Sequence, residues 1–425
     1  MLKSPSNIFD KLIFYLFVVL VFFSPLIFTT STFELFEFPK TFFLYFLGST
    51  IIFLYLIKKI REWKIPIINL KSTTNILILV LLFINIASTL LSSHPYTSIW
   101  GYYTRFNGGL ISTIIYVFLY FISTEILTKK DFEKLLNVSL LSLMPVCVYA
   151  VLQHLSQITN IYKTDPSIRV FSTFGQPNWL AVFIGMLLPT IILKFDKARL
   201  CLWFLIYTLV FSALWFTYSI SGLLGFFVGV IYLLLLRKNE LKNNFKIYFA
   251  LAFISITIAI LNPGIFRGKM LDVVTDIKKI ITLNKPVFAA SEPVYKISDT
   301  GSIRSGLWGG TLNLISNNYK TFFIGTGPQT FPYEFQKFRP QAMNYSSEWD
   351  FVFNKPHNYY LELWSDTGVF ALIVYLTVLM FLIKSRNYTY APGLLALYVS
   401  NIFGWPTVAT NILFFIFIAG VQKRE

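Results

Sequence analysis

Apolar runs long enough to cross a bilayer alternate with short polar breaks along most of the chain. A membrane span takes about 20 mostly apolar residues, with a range of roughly 17–25. Twelve such segments are predicted, some short at the edges, near 12–29, 41–57, 75–91, 109–127, 135–154, 178–193, 200–218, 222–236, 246–261, 357–383, 388–402 and 406–421. Only Ser219, Ile220 and Ser221 separate the seventh from the eighth, which predicts a tight helical hairpin. Between the ninth and tenth, residues 262–356 are too polar to span. Within them Met270, Val273, Val274, Ile277, Ile280 and Ile281 recur at helical spacing, with Asp272, Asp276, Lys278 and Lys279 opposite. That pattern predicts an amphipathic helix suited to a membrane surface. A second helix is expected after Thr300 or Ser302, with Ile303, Leu307, Leu314 and Ile315 on one face and Arg304, Trp308 and Thr311 beside it. The expected fold class is an all-α polytopic membrane protein of about 12 transmembrane helices. It forms a single integral domain over 1–425, with 262–356 as an inserted loop subdomain.

Charge adds an orientation. Lys and Arg concentrate in cytoplasmic loops of membrane proteins. With the N-terminus inside, the short inner segments hold 21 of them and the short outer loops hold four: Lys40, Arg105, Lys163 and Arg169. The 262–356 segment holds the remaining 11, and long loops translocate largely regardless of charge. Both termini are therefore expected in the cytoplasm and the long loop outside. Composition agrees with a membrane protein: 55% of residues are hydrophobic, 18% aromatic and 13% charged, against roughly 25% charged in soluble domains. The formal charge of +16 could suggest nucleic acid. However, the basic residues lie in short clusters between apolar runs, so no nucleic-acid partner is expected. The apolar run after Lys3 and Lys11 has no small-residue cleavage site behind it and reads as an uncleaved first span. Cys147 and Cys201 are expected at different depths and unbridged.

The candidate chemistry gathers at outer span ends. In the stretch 355–368, His357 and Asn358 stand at the head of a predicted span, and Glu362, Ser365 and Asp366 follow at helical spacing. Polar groups at membrane depth are expensive and mark function when they face a protein interior. The other spans are nearly free of ionisable groups, which disfavours an ion-coupled transporter. Three arginines lie in distinctive outer contexts: Arg105 within 100–109, Arg169 within 169–179, and Arg304 at the start of the second loop helix. A guanidinium binds phosphate oxygens bidentately, so these could hold a phosphate without a metal. His94, His154 and His357 come from separate segments with no close-spaced pair, and no outer Asp-x-Asp occurs. Glu34 and Glu37 are the nearest alternative carboxylates and read as structural. No metal and no cofactor are expected. Gly325 and Gly327 could cradle phosphate, but a turn fits that short pattern better.

These features together resemble the O-antigen ligase and O-antigen polymerase superfamily of membrane glycosyltransferases. The resemblance rests on the span count, the long loop before the tenth span and four local motifs. The motifs are 101–108 around Arg105, 169–178 with its Phe-Gly-x-Pro-Asn, 304–327 from Arg304, and 357–368 from His357 to Gly368. Gln176 and Ala371 depart from the residues common at those places in the family.

The resemblance implies transfer of a glycan from an undecaprenyl-diphosphate carrier to an acceptor hydroxyl, at the outer face of the cytoplasmic membrane, in cell-surface polysaccharide or lipopolysaccharide biosynthesis. It implies that His357 acts as the base or positions the acceptor, and that Arg169 and Arg304 hold the diphosphate. Arg105, Asn178, Asn358 and Glu362 are implied as substrate-binding or orienting groups. The acceptor could be a lipid, a glycan or a protein, so ligase, polymerase and protein glycosylation all stay open. A flippase of lipid-linked sugars is the rival from another class, and the charge-poor spans speak against it.

Overall fold

The computed structural model describes residues 8–64, 70, 72–156, 165–195, 199–266, 300–346 and 348–423. Each predicted apolar segment is a helix. The helices of ten residues or more are α1 (Ile8–Phe23), α2 (Glu37–Arg61), α3 (Thr73–Leu90), α4 (Leu110–Ile126), α5 (Lys129–His154), α6 (Pro177–Leu193), α7 (Leu200–Phe216), α8 (Ile220–Leu236), α9 (Phe245–Leu261), α10 (Thr300–Ser316), α11 (Tyr359–Ser385), α12 (Ala391–Ser400) and α13 (Val408–Gln422). No strand occurs among the described residues. Four of these helices, α2, α3, α5 and α11, are long and apolar enough to cross a membrane by length and composition. Seven further apolar helices have 10–17 residues. The amphipathic helix expected over 270–281 lies outside the described residues.

The exposed faces suit lipid. On α9, Phe245, Phe249, Phe253, Ile256 and Ile260 are each more than half exposed and recur at helical spacing. Such a stripe would be costly in water and is neutral in hydrocarbon. At the centre lies α6, buried on every side from residue 179 to 192. A helix that is apolar all round belongs in such a core.

The predicted hairpin is present in sequence but not in packing. Helix α8 leaves α7 and packs instead on α6 and α12. Its glycines explain this. A Cβ on Gly222 would fall 2.3 Å from the Ala181 Cβ, and one on Gly225 would fall 2.3 Å from the Ser400 Oγ. Small residues at that spacing let helix backbones approach closely, so α8 seats against α6 and α12.

Helix α11 is two helical segments joined at Gly368, which has φ 81°. The break sits where a second glycine meets it. A Cβ on Gly368 would lie 2.1 Å from the Phe323 carbonyl oxygen, and one on Gly325 would lie 2.2 Å from that of Asp366. The Thr326 and Gly327 amides donate to the Ser365 and Asp366 carbonyls at 2.9 Å each. Gly325 and Gly327 thus form a packing turn that fills hydrogen bonds freed by the kink in α11.

The second loop helix forms where expected, as α10. Ile303, Leu307 and Leu314 enter a small core with Phe331, Phe335, Met343 and Phe353, separate from the main one. This core holds α10 over the same end of the bundle as the loops before α6 and α11.

Candidate functional site

That end contains a cavity of about 320 Å3 lined by Arg169, Asn178, Arg304 and His357. Four segments far apart in sequence supply them: the loop before α6, the first turn of α6, α10, and the loop before α11. Tyr218 and Ser221 from the α7–α8 junction, Gln176 and Glu348 complete its polar lining.

Arg169 is held rigidly. Its Nε donates to the Thr217 carbonyl at 2.9 Å and its Nη2 to the Asn178 Oδ1 at 3.2 Å. The same Asn178 oxygen accepts from the Ser219 Oγ at 2.8 Å. A guanidinium has five N–H groups, so three of Arg169's remain after these two bonds. Arg304 rests its guanidinium 5.9 Å from the Phe403 ring centroid. Among the described residues, neither arginine pairs with a carboxylate. Burial pulls both below the usual arginine range, and the Arg304 charge adds to the effect on Arg169. Two partly buried cations facing one cavity, neither paired with a carboxylate, give it the chemistry to accept an anion.

His357 owes its placement to the residue after it. Asn358 is the N-cap of α11, accepting from the Tyr360 and Leu361 amides at 3.0 and 3.2 Å. The cap starts the helix one residue late for His357, which takes a left-handed φ of 55° and turns toward the cavity. Its ring meets Trp405 edge to face at 4.9 Å. Burial, followed by the charges of Arg304, Arg105 and Lys355, pushes its pKa down to about 4. The imidazole is therefore neutral at pH 7, with a lone pair free to accept a proton.

A second cavity, about 110 Å3, lies deeper in the bundle and is lined by Glu37, Arg105, Lys355, Glu362, Asp366 and Trp405 among others. It divides the predicted site residues. His357, Arg169, Arg304 and Asn178 share the first cavity, whereas Arg105 and Glu362 line the second. Asn358 lines neither, because its side chain is engaged by the helix end. Helix α2 begins earlier than the predicted span, which brings Glu37 and Lys40 inside a helix and buries both.

The other histidines stand apart. His94 lies 3.5 Å from a Glu334 oxygen, and His154 stacks on Phe216 at 3.7 Å. Sequence reading misses Glu348, a carboxylate in the first cavity whose pKa is raised by burial. It sits in irregular chain with no periodicity to single it out.

Comparison with known families gives one match: residues 205–376 fit the family model described as O-antigen ligase. No curated protein and no solved structure gives a significant match. The matched stretch runs from α7 into α11 and contains Arg304, His357, Glu362 and Asp366, while Arg105, Arg169 and Asn178 precede it. This family indicates a glycosyltransferase-type enzyme of polysaccharide biosynthesis. The helical fold and the match over 205–376 support a likeness to the O-antigen ligase and polymerase superfamily, carried by that stretch of the chain.

Proposed function

We propose that the protein transfers a glycan from an undecaprenyl-diphosphate carrier to an acceptor hydroxyl, without a metal, at the extracytoplasmic face of the cytoplasmic membrane. The observation that carries this reading is the shared cavity of Arg169, Arg304 and His357. Both termini then lie in the cytoplasm. In this reading His357 takes the acceptor hydroxyl proton on a ring nitrogen as the oxygen attacks the anomeric carbon. The bond from that carbon to the phosphate oxygen breaks, and its electron pair leaves on the diphosphate. Arg169 and Arg304 stabilise the charge that develops there, and preorganised charge of this kind often contributes more to the rate than any other effect. Positioned base catalysis adds typically 10²–10⁴-fold.

The surroundings of the cavity suit a lipid donor. Ile220 lines it, and Ile220, Leu224, Phe227, Ile231 and Leu235 form an exposed apolar stripe along α8. A 17-residue helix is about 25 Å long at 1.5 Å per residue, so the stripe offers an isoprenoid chain a track into the membrane. The family reading supplies the rest: a lipid-linked glycan donor and an acceptor in the membrane.

The test is transfer from a purified lipid-diphosphate glycan by protein reconstituted in liposomes. His357→Ala, Arg169→Ala and Arg304→Ala should each lower the rate at least 100-fold while gel filtration and thermal unfolding stay normal. Normal transfer by all three variants would remove the site assignment. Glycan analysis of a deletion strain then identifies the acceptor: unmodified acceptor with full-length carrier-linked chains indicates a ligase, and single repeat units indicate a polymerase.

A further inference from the structure

We infer that the deeper cavity is a sugar-binding subsite that holds one ring next to the point of transfer. This rests on the transferase reading for its place in the reaction, but not for its chemistry. Three carboxylates on two helices reach this cavity: Glu37 on α2, and Glu362 and Asp366 on α11. All three are at least nine-tenths buried. Each uses one oxygen. Glu37 Oε2 accepts from the Val408 amide at 2.8 Å, Asp366 Oδ2 from the Gln329 amide at 2.8 Å, and Glu362 Oε1 from Gln329 Nε2 at 3.0 Å and from Lys355. The second oxygen of each, Glu37 Oε1, Glu362 Oε2 and Asp366 Oδ1, is buried with no hydrogen-bond donor. The Arg105 Nε is a buried donor with no acceptor. A buried polar group left without a partner costs about 1–3 kcal/mol, and more when charged. Four such atoms around one cavity ask for a ligand that brings several O–H donors and an acceptor together.

Charge narrows the class. Lys355 bonds Glu362, Lys40 lies 3.9 Å from Glu37 Oε1, and Arg105 lines the same space. Cations thus stand beside the carboxylates, so the walls suit a neutral polyhydroxylated ligand. Among the described residues no group of acidic and histidine side chains could hold a metal. The walls are also aromatic. Trp405 lines the cavity, and the Arg105 guanidinium packs 5.0 Å from the Trp179 ring and 5.7 Å from that of Trp405. Vicinal hydroxyls on carboxylates, with an indole against the C–H face, are the chemistry of carbohydrate recognition. The volume, about 110 Å3, fits one sugar ring or a few waters.

Trp405 lines the deeper cavity, and its ring centroid lies 4.9 Å from that of His357, which lines the first. A ring bound in the deeper cavity would lie against this indole, near the imidazole. That is the place for the sugar that flanks the new bond.

The test uses the full chain in nanodiscs and follows tryptophan fluorescence during titration with free glucose, galactose, N-acetylglucosamine and rhamnose. At least one should give a saturable change, with glycerol giving none. Its apparent Kd should rise at least tenfold in Asp366→Asn and in Glu37→Gln, two variants on different helices, and stay unchanged in His94→Ala, at a residue that lines neither cavity. No saturable sugar, or equal binding by both acidic variants with normal thermal unfolding, overturns the subsite. So does an experimental structure with only water in the cavity at saturating sugar. Sugar binding by a protein that transfers nothing would keep the subsite and remove the transferase reading. Transfer with an unaltered KM in Asp366→Asn and Glu37→Gln would do the reverse.

Discussion

The imidazole of His357 provides the sharpest test of the electrostatics. Its pKa stands near 4 against an ordinary 6.5, a difference of about 2.5. Burial is the first cause, and Arg304 is the largest of the charges behind it. Replacing Arg304 with Gln keeps the bulk and removes one charge. A unit charge across one partly buried cavity shifts a neighbouring pKa by on the order of one unit. The variant should therefore titrate His357 near 5. Binding of a diphosphate lipid should raise the pKa further, because the anion offsets both guanidiniums. With only three histidines in the chain, isotope-labelled histidine gives a three-signal spectrum, and the signal lost in His357→Ala makes the assignment. Stability should follow with a defined sign. Between pH 6.5 and 4 the unfolded chain takes up a proton that the folded one refuses, so folding weakens as pH falls through that window. The full effect is about 3 kcal/mol, and His357→Gln should flatten that slope. A His357 that titrates near 6.5, or that ignores both Arg304→Gln and the lipid diphosphate, would refute the reasoning.

Gly368→Ala and Gly325→Ala should each destabilise the protein by about 2 kcal/mol or more, because both sites have positive φ and a carbonyl oxygen within 2.2 Å of any added Cβ; an unchanged unfolding temperature would contradict this. Asn358→Ala should cost about 1 kcal/mol through the lost helix cap, with reduced transfer restored by Asn358→Asp; recovery by Asp separates a capping role from direct substrate contact. Transfer should persist in EDTA, and loss that manganese or magnesium restores would shift attention to Glu34 and Glu37. Glu348→Gln should lower the rate at least tenfold if the half-buried carboxylate meets the acceptor, and an unchanged rate would leave it outside the reaction.

The helices are legible in the sequence because a bilayer demands a run of apolar residues whatever the tertiary contacts. The edges are less so. Hydropathy starts α2 too late, since Glu37 and Lys40 look like loop residues until their buried partners are known. The short connection between α7 and α8 suggests a hairpin, yet glycine-faced packing on α6 and α12 takes α8 elsewhere. Among the candidate site residues, residue type and predicted outer position single out Arg169, Arg304 and His357. Nothing in their spacing separates them from Arg105, which lines the other cavity. Glu348 carries no signal, and Asn358 carries an ambiguous one, because a helix cap and a ligand use the same oxygen.

By itself the sequence determined a helical membrane protein with a polar, cation-bearing end, because hydropathy and charge are local properties that each segment carries alone. Only the tertiary structure decided which cations share a cavity and that the α11 carboxylates line a different one. Those are matters of packing between segments up to 188 positions apart, Arg169 and His357 at the extremes. The kink at Gly368 and the indole of Trp405 settle them, and neither acts through its own neighbours in the chain alone.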